Sequence, residues 1–157
     1  EVKDEMKDVE GRPEVKAAIR QKQREMSMQR MVDAVPDADV VIVNPEHFAV
    51  ALSYDQTAEG APKVVAKGVD HMSERIREVA KENAIEIVRL PTLARAIYYT
   101  TELEQEIPEP LYLAVAQVLS YVFSLNNEMY GDSNAELPEI TVPDDYQFDV
   151  NGNPAIA

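Results

Sequence analysis

Val40-Val41-Ile42-Val43-Asn44-Pro45-Glu46-His47-Phe48-Ala49-Val50-Ala51-Leu52 is the stretch that decides the fold. Two apolar, β-branched runs flank an Asn-Pro dipeptide, which reads as strand, tight turn, strand. Because Asn44 precedes a proline, its backbone is pushed toward an extended conformation, and the Asn44–Pro45 bond is a tertiary amide without an N–H. Asparagine usually ages by attack of the next backbone nitrogen on its side chain. Here that route is closed, since the Pro45 ring nitrogen carries no hydrogen. The reverse attack stays open: the Asn44 side-chain nitrogen can attack Asn44's own carbonyl carbon, close a succinimide and release Pro45 as a new amino terminus. A carboxamide is a weak nucleophile, so the fold must hold the two groups together; oriented pairs reach effective molarities of about 10⁵ to 10⁸ M. Two rigid strands would provide that hold. An Asn-Pro dipeptide equally makes an ordinary turn, and the dipeptide alone does not decide between the two.

Outward from this hairpin, Ser53 to Ala61 reads as a polar loop and Lys63 to Ala66 as a third short strand, with Gly68 as punctuation before a helix. From Val69 to Asn83, the residues Val69, Met72, Ile76 and Val79 recur at helical spacing, and Asn83 serves as a stop. Ile85 to Leu90 is a fourth strand, with Ile85 and Ile87 on one face and Glu86 and Val88 on the other. Pro91 opens a helix running to about Thr100. Glu102 to Pro110 is an acidic loop, and Leu111 to Leu125 carries the widest apolar face of the chain. Strands alternating with helices specify an α/β domain: a small sheet of about four strands surrounded by helices.

On the amino-terminal side, residues 1 to 10 alternate charges and read as mobile or a fraying helix. Pro13 to Val32 is a helix of strong helix formers whose apolar stripe, Val15, Ile19 and Met26, is thin. It reads as a long linker helix, ended by Pro36 and Asp37. Beyond Asn126 the chain is acidic, rich in Asn, Asp, Pro and Gly, and reads as a disordered tail. The organisation is therefore linker over 1–34, globular domain over 35–125 and tail over 126–157. Asn153-Pro154 in the tail repeats the cleavable dipeptide without strands to fix it, so cleavage is expected at Asn44 and not at Asn153.

The 157 residues carry a net charge of −14. Residues 1–34 balance eight acidic against eight basic side chains, 35–125 hold fourteen against seven, and 126–157 hold seven against none. Phosphate binding needs a basic surface, so a nucleic-acid partner is excluded. Within the linker, Arg12, Lys16, Arg20, Lys22, Arg24 and Arg30 form a basic stripe, either a solvated helix surface or one lying near anionic headgroups. The chain has no cysteine, hence no disulfide scaffold or thiolate metal site, which fits a reducing compartment. No apolar run approaches the roughly 20 residues that span a bilayer, and nothing resembles a signal peptide. With a first residue other than Met, the chain is expected to be a fragment.

The string Asn44-Pro45-Glu46-His47, with Asp39 to Val43 before it and Phe48 to Leu52 after it, resembles the Asn-Pro-Thr-His segment of the FlhB and YscU family. Those proteins are membrane components of flagellar and related type III export machines. Further resemblance lies at Ala61-Pro62-Lys63-Val64-Val65-Ala66-Lys67-Gly68, at Pro91-Thr92-Leu93-Ala94-Arg95-Ala96, and at Ile107-Pro108 followed by Leu111 to Leu119. It runs from about Gly11 to Leu125 and is closer to the flagellar branch. The resemblance implies self-cleavage after Asn44 linked to a switch in export specificity, and membrane helices preceding this chain at the cytoplasmic face of the bacterial inner membrane. It implies as partners the flagellar export apparatus proteins, a hook-length control protein and exported flagellar substrates. It also implies a small apolar patch for export signals, at Ala61, Pro62, Ala116 and Leu119; ordinary packing is the alternative for these residues. Glu46 departs from the family's Thr. The cyclisation uses no atom of that side chain; a carboxylate there is either a general base or a solvated turn residue. His47 either polarises the carbonyl or caps the turn.

His47 and His71 are the only histidines and lack ligand spacing, so no metal is expected. No Gly-rich phosphate loop and no nucleophile elbow occurs, so no cofactor and no activity on external substrates is expected. Two hypotheses remain: a single-turnover self-cleaving switch, or an uncut docking module for export substrates and apparatus proteins in which NPEH is a structural turn. The longer resemblance favours the first.

Overall fold

A computed structural model describes residues 12–126 and 136–156. The expectations for residues 1–10 and for the tail between 127 and 135 lie outside the described residues. Strand β1 (Val40–Asn44) and strand β2 (Phe48–Ser53) form the expected hairpin, with Val40 opposite Leu52 and Asn44 opposite Phe48. Strand β3 (Lys63–Val69) pairs antiparallel with β2, and strand β4 (Ile87–Arg89) pairs parallel with β1, giving one four-stranded sheet in the order β3-β2-β1-β4. The α/β expectation with a sheet of about four strands therefore holds.

The two hairpin strands occupy the centre of the sheet, and every residue of β1 is buried. Alternation explains how one apolar run serves two faces. Val40, Ile42, Phe48, Val50 and Leu52 enter a core shared with helix α3 (Pro91–Thr100) and helix α4 (Tyr112–Asn126). Val41, Val43, Ala49 and Ala51 enter a second core beneath helix α2 (Asp70–Glu82). Alanines on this second face let α2 approach the sheet closely. Helix α1 (Pro13–Ala34) touches that core only at its carboxyl end, through Met31 and Val32; Val15, Ile19, Met26 and Met28 are exposed. Among the described residues no helix is long and apolar enough to cross a membrane.

Several boundaries differ from the sequence reading. β3 runs through Gly68 to Val69, because Gly68 pairs with Ala49 where α2 folds back over the strand. A Cβ at Gly68 would sit 2.4 Å from Met72 Cγ, so this position admits no larger residue without movement. β4 is shorter than Ile85–Leu90, since only three of its residues face β1. The acidic loop after α3 does more than connect. Ile107 N–H donates to Pro62 O at 3.0 Å and Glu104 N–H to Val64 O at 2.7 Å, which covers the free edge of β3.

The tail departs furthest from expectation: residues 136–156 are seated on the domain rather than free of it. Val142 is buried in the α3–α4 core, with Leu137, Ile140 and Tyr146 packed against it. Arg95 Nε donates to Phe148 O at 2.7 Å, and the Tyr99 hydroxyl donates to Val150 O at 2.7 Å. Asp149 Oδ1 accepts from the Asn151 and Asn153 N–H groups, closing a tight turn whose Gly152 has φ +85°. A few well-placed apolar anchors outweigh an acidic composition.

Candidate functional site

The β1–β2 turn holds the four residues, Asn44 to His47, that the sequence reading singles out as candidates for cleavage. Asn44, the last residue of β1, is 8% exposed, held by pairing with Phe48 on one side and by β4 on the other, where Leu90 N–H donates to Val43 O at 3.1 Å. The Asn44 carbonyl oxygen accepts a hydrogen bond from His47 N–H at 2.8 Å. In the cyclisation expected from the sequence that carbonyl would be the electrophile, and a donor on its oxygen would stabilise the negative charge that develops during attack. Among the described residues no hydrogen bond occupies the Asn44 carboxamide. Pro45 is half-buried, and Glu46 and His47 are exposed.

The His47 side chain finds a partner that the sequence reading did not single out. His47 Nδ1 lies 3.2 Å from Asp70 Oδ1, and the Asp70 N–H donates to His47 O at 2.8 Å. Asp70 begins α2 directly after Val69, which pairs with Phe48, so the ladder brings two residues 23 positions apart to the same turn. A carboxylate opening a helix is ordinary in sequence and signals nothing about a distant histidine. A shallow groove lined by Glu46, His47, Asp70, Glu74, Arg77 and Lys81 runs from the turn along α2. On the opposite flank, Phe48, Tyr98 and Tyr99 stack edge to face at centroid distances of 5.0–5.7 Å, and Val150 and Asn151 of the tail close the recess beside His47. The Lys67 ammonium donates to Tyr98 O at 2.9 Å and lies over the Tyr98 ring, fixing the end of α3 beneath the hairpin.

The second group of candidates is distributed differently. Ala61 packs against the core cluster to which Leu119 belongs, Pro62 is half-buried with its carbonyl bound by Ile107, and Ala116 is exposed on α4. Leu119 is 4% exposed and so belongs mainly to the core. His71 is exposed on α2, as a surface position. Among the described residues no three His, Asp or Glu side chains converge as a metal ion requires. Asn153-Pro154, expected in unfixed chain, sits in the tail turn, where Asp149 N–H donates to Asn153 O at 2.9 Å, but Asn153 is exposed and outside the sheet.

A family model described as the FlhB HrpN YscU SpaS Family matches residues 1–122. The chain belongs to that family. It is 46% identical over 130 residues to the flagellar biosynthetic protein FlhB of Bacillus subtilis, covering 83% of this chain and 36% of that protein. It is 44% identical over 150 residues to FlhB of Salmonella typhimurium, covering 94% and 39%. The chain thus spans less than two-fifths of the length of these curated relatives. Its fold matches the crystal structure of the cytoplasmic domain of FlhB from Shewanella putrefaciens with a TM-score of 0.69 and 50% identity, covering 77% of this chain and 95% of that one. A C-terminal domain of EscU carrying an asparagine-to-alanine substitution matches with a TM-score of 0.57 and 25% identity, covering 59% and 92%.

Proposed function

We propose that this chain is the cytoplasmic domain of a flagellar type III protein export component, that it cuts itself once between Asn44 and Pro45, and that the cut switches which proteins are exported. The observation that carries this reading is the hydrogen bond from His47 N–H to the Asn44 carbonyl oxygen at 2.8 Å, at the end of a buried strand. In the reaction, Asn44 Nδ2 attacks the Asn44 carbonyl carbon, and the carbonyl oxygen takes up negative charge against the His47 N–H. The bond from carbon to the Pro45 nitrogen then breaks, and one proton passes from Nδ2 to that nitrogen. Water later opens the succinimide. Strands β1 and β2 hold the turn through both steps, so the fold supplies what a weak nucleophile lacks.

The cut severs the hairpin but leaves its ladder, so β1 and β2 remain paired as two chains. What changes is the turn, now two chain ends beside an acidic groove. In this reading export-apparatus proteins, a hook-length control protein and exported flagellar substrates are the partners, and Ala61, Pro62, Ala116 and Leu119 form the apolar patch that receives export signals. The domain works at the cytoplasmic face of the inner membrane, joined to a membrane domain through α1. Replacing Asn44 with Ala removes the nucleophile and should abolish the cut; an Asn44→Ala chain that is still cut between residues 44 and 45 contradicts the mechanism. Replacing Ala61 with Asp, in a chain that still folds and cuts, should impair export of early substrates; unchanged export contradicts the patch.

A further inference from the structure

We propose that Asp70 is a positioning residue for the self-cleavage, acting through His47; the inference rests on the cleavage reading above. Asp70 grips His47 twice. Its backbone N–H holds the His47 carbonyl at 2.8 Å, and its carboxylate lies 3.2 Å from His47 Nδ1. The same His47 supplies the N–H on the Asn44 carbonyl oxygen, so the donor that meets the reacting carbonyl is itself tethered to the start of α2. A carboxylate only accepts, so Nδ1 carries the hydrogen, and in the neutral imidazole the lone pair then sits on Nε2. In that form Nε2 is a basic nitrogen, the kind of group that a proton transfer from Asn44 Nδ2 to the Pro45 nitrogen calls for. The logic is that of a carboxylate that fixes the tautomer and orientation of a catalytic imidazole without being protonated itself.

Stability does not account for this contact. The two side chains are 63% and 75% exposed, a setting in which ion pairs contribute little. Asp70 also adopts φ +48°, a left-handed conformation that Asp tolerates at a cost glycine would avoid. An exposed pair held in a costly backbone conformation points to a role in orientation. Glu46, Glu74, Arg77, Glu78 and Lys81 share the groove, yet among the described residues Asp70 is the one carboxylate at ion-pair distance from His47.

The test follows the uncut fraction over time on a denaturing gel, using the full chain pulse-labelled during cell-free synthesis. Asp70→Asn and Asp70→Gly both keep the backbone N–H and tolerate the left-handed conformation, but neither keeps the carboxylate. Both should slow cleavage about tenfold or more, while Glu74→Gln, which removes a neighbouring charge, should stay within about twofold of wild type. Asp70→Asn should add no further slowing to His47→Ala, because its route through the imidazole is already gone. Wild-type rates for Asp70→Asn or Asp70→Gly overturn the inference, as does equal slowing by Asp70→Asn with and without His47, which marks a structural effect. Should His47→Ala be wholly uncut, the agreement of the Asn and Gly variants against Glu74→Gln decides the matter. A wild-type chain that is never cut overturns the cleavage reading itself, a result distinct from a cut wild type with an equally fast Asp70→Asn.

Discussion

Replacing Ile42 with Ala tests whether the two sides of the turn are held by packing rather than by the bond between them. Ile42 lies in β1 between Val50 of β2 and Val88 of β4, fully buried in the core beneath α3 and α4. The substitution deletes three carbons, each carrying about 0.8 kcal/mol of burial free energy. Rigid neighbours on both sides leave part of the space empty, so the total loss should be about 3–4 kcal/mol. In an uncut Asn44→Ala background, urea unfolding with and without Ile42→Ala reads this difference on a single chain. In the cut protein the same loss should weaken association of the two pieces by about two to three powers of ten, at 1.4 kcal/mol for each. Dilution series on a sizing column measure that. A stability loss under about 1 kcal/mol would refute the packing account.

Three further outcomes are expected. Gly68→Ala should destabilise the uncut domain by about 1–3 kcal/mol in thermal melts, because its Cβ would meet Met72 at 2.4 Å. Ser73→Ala should be neutral or raise stability by up to about 1 kcal/mol, since the Ser73 hydroxyl is buried on α2 without a hydrogen-bond partner among the described residues. Gly152→Ala should loosen the tail, since its Cβ would lie 2.8 Å from the Tyr99 ring at φ +85°, and faster proteolysis within residues 142–155 would report it. The tail also has a pH signature. Burial, with Tyr98 and Asp149 adding to it and Arg95 opposing, raises the Tyr99 phenol above its ordinary 10.0. Its folded value exceeds the unfolded one, so the contribution is whole below the unfolded value and is lost as pH rises through the folded one. Phenolate absorbance in wild type and Tyr99→Phe should show the late-titrating group in the first only.

The sheet was legible because its signals are local. β-branched runs on either side of Asn44-Pro45 specify the hairpin, and the repeat of Met72, Ile76 and Val79 specifies α2 over it. Asn83 does stop that helix, its side chain donating to Val79 O at 2.8 Å. What escaped the sequence is non-local. The pairing of His47 with Asp70 exists only because β3 aligns Val69 with Phe48, and no spacing within either segment announces it. The extent of β3 was hidden by Gly68, which reads as a break but is required by the approach of Met72. The tail was misread because its anchors, Val142, Tyr146 and Phe148, follow no helical or strand period; Arg95 and Tyr99, which hold Phe148 and Val150, lie about 50 residues earlier in the chain. Leu119, a patch residue by resemblance, lies on the buried side of α4, which a sequence position alone does not reveal.

The most direct measurement is the mass of the purified chain after denaturation, following incubation of the folded protein near neutral pH. The cyclisation account predicts pieces of about 5 and about 12 kDa, at about 110 Da per residue, meeting at the Asn44–Pro45 bond, with the Asn153–Pro154 bond whole. A single species at 17.6 kDa from a protein shown to be folded would contradict it.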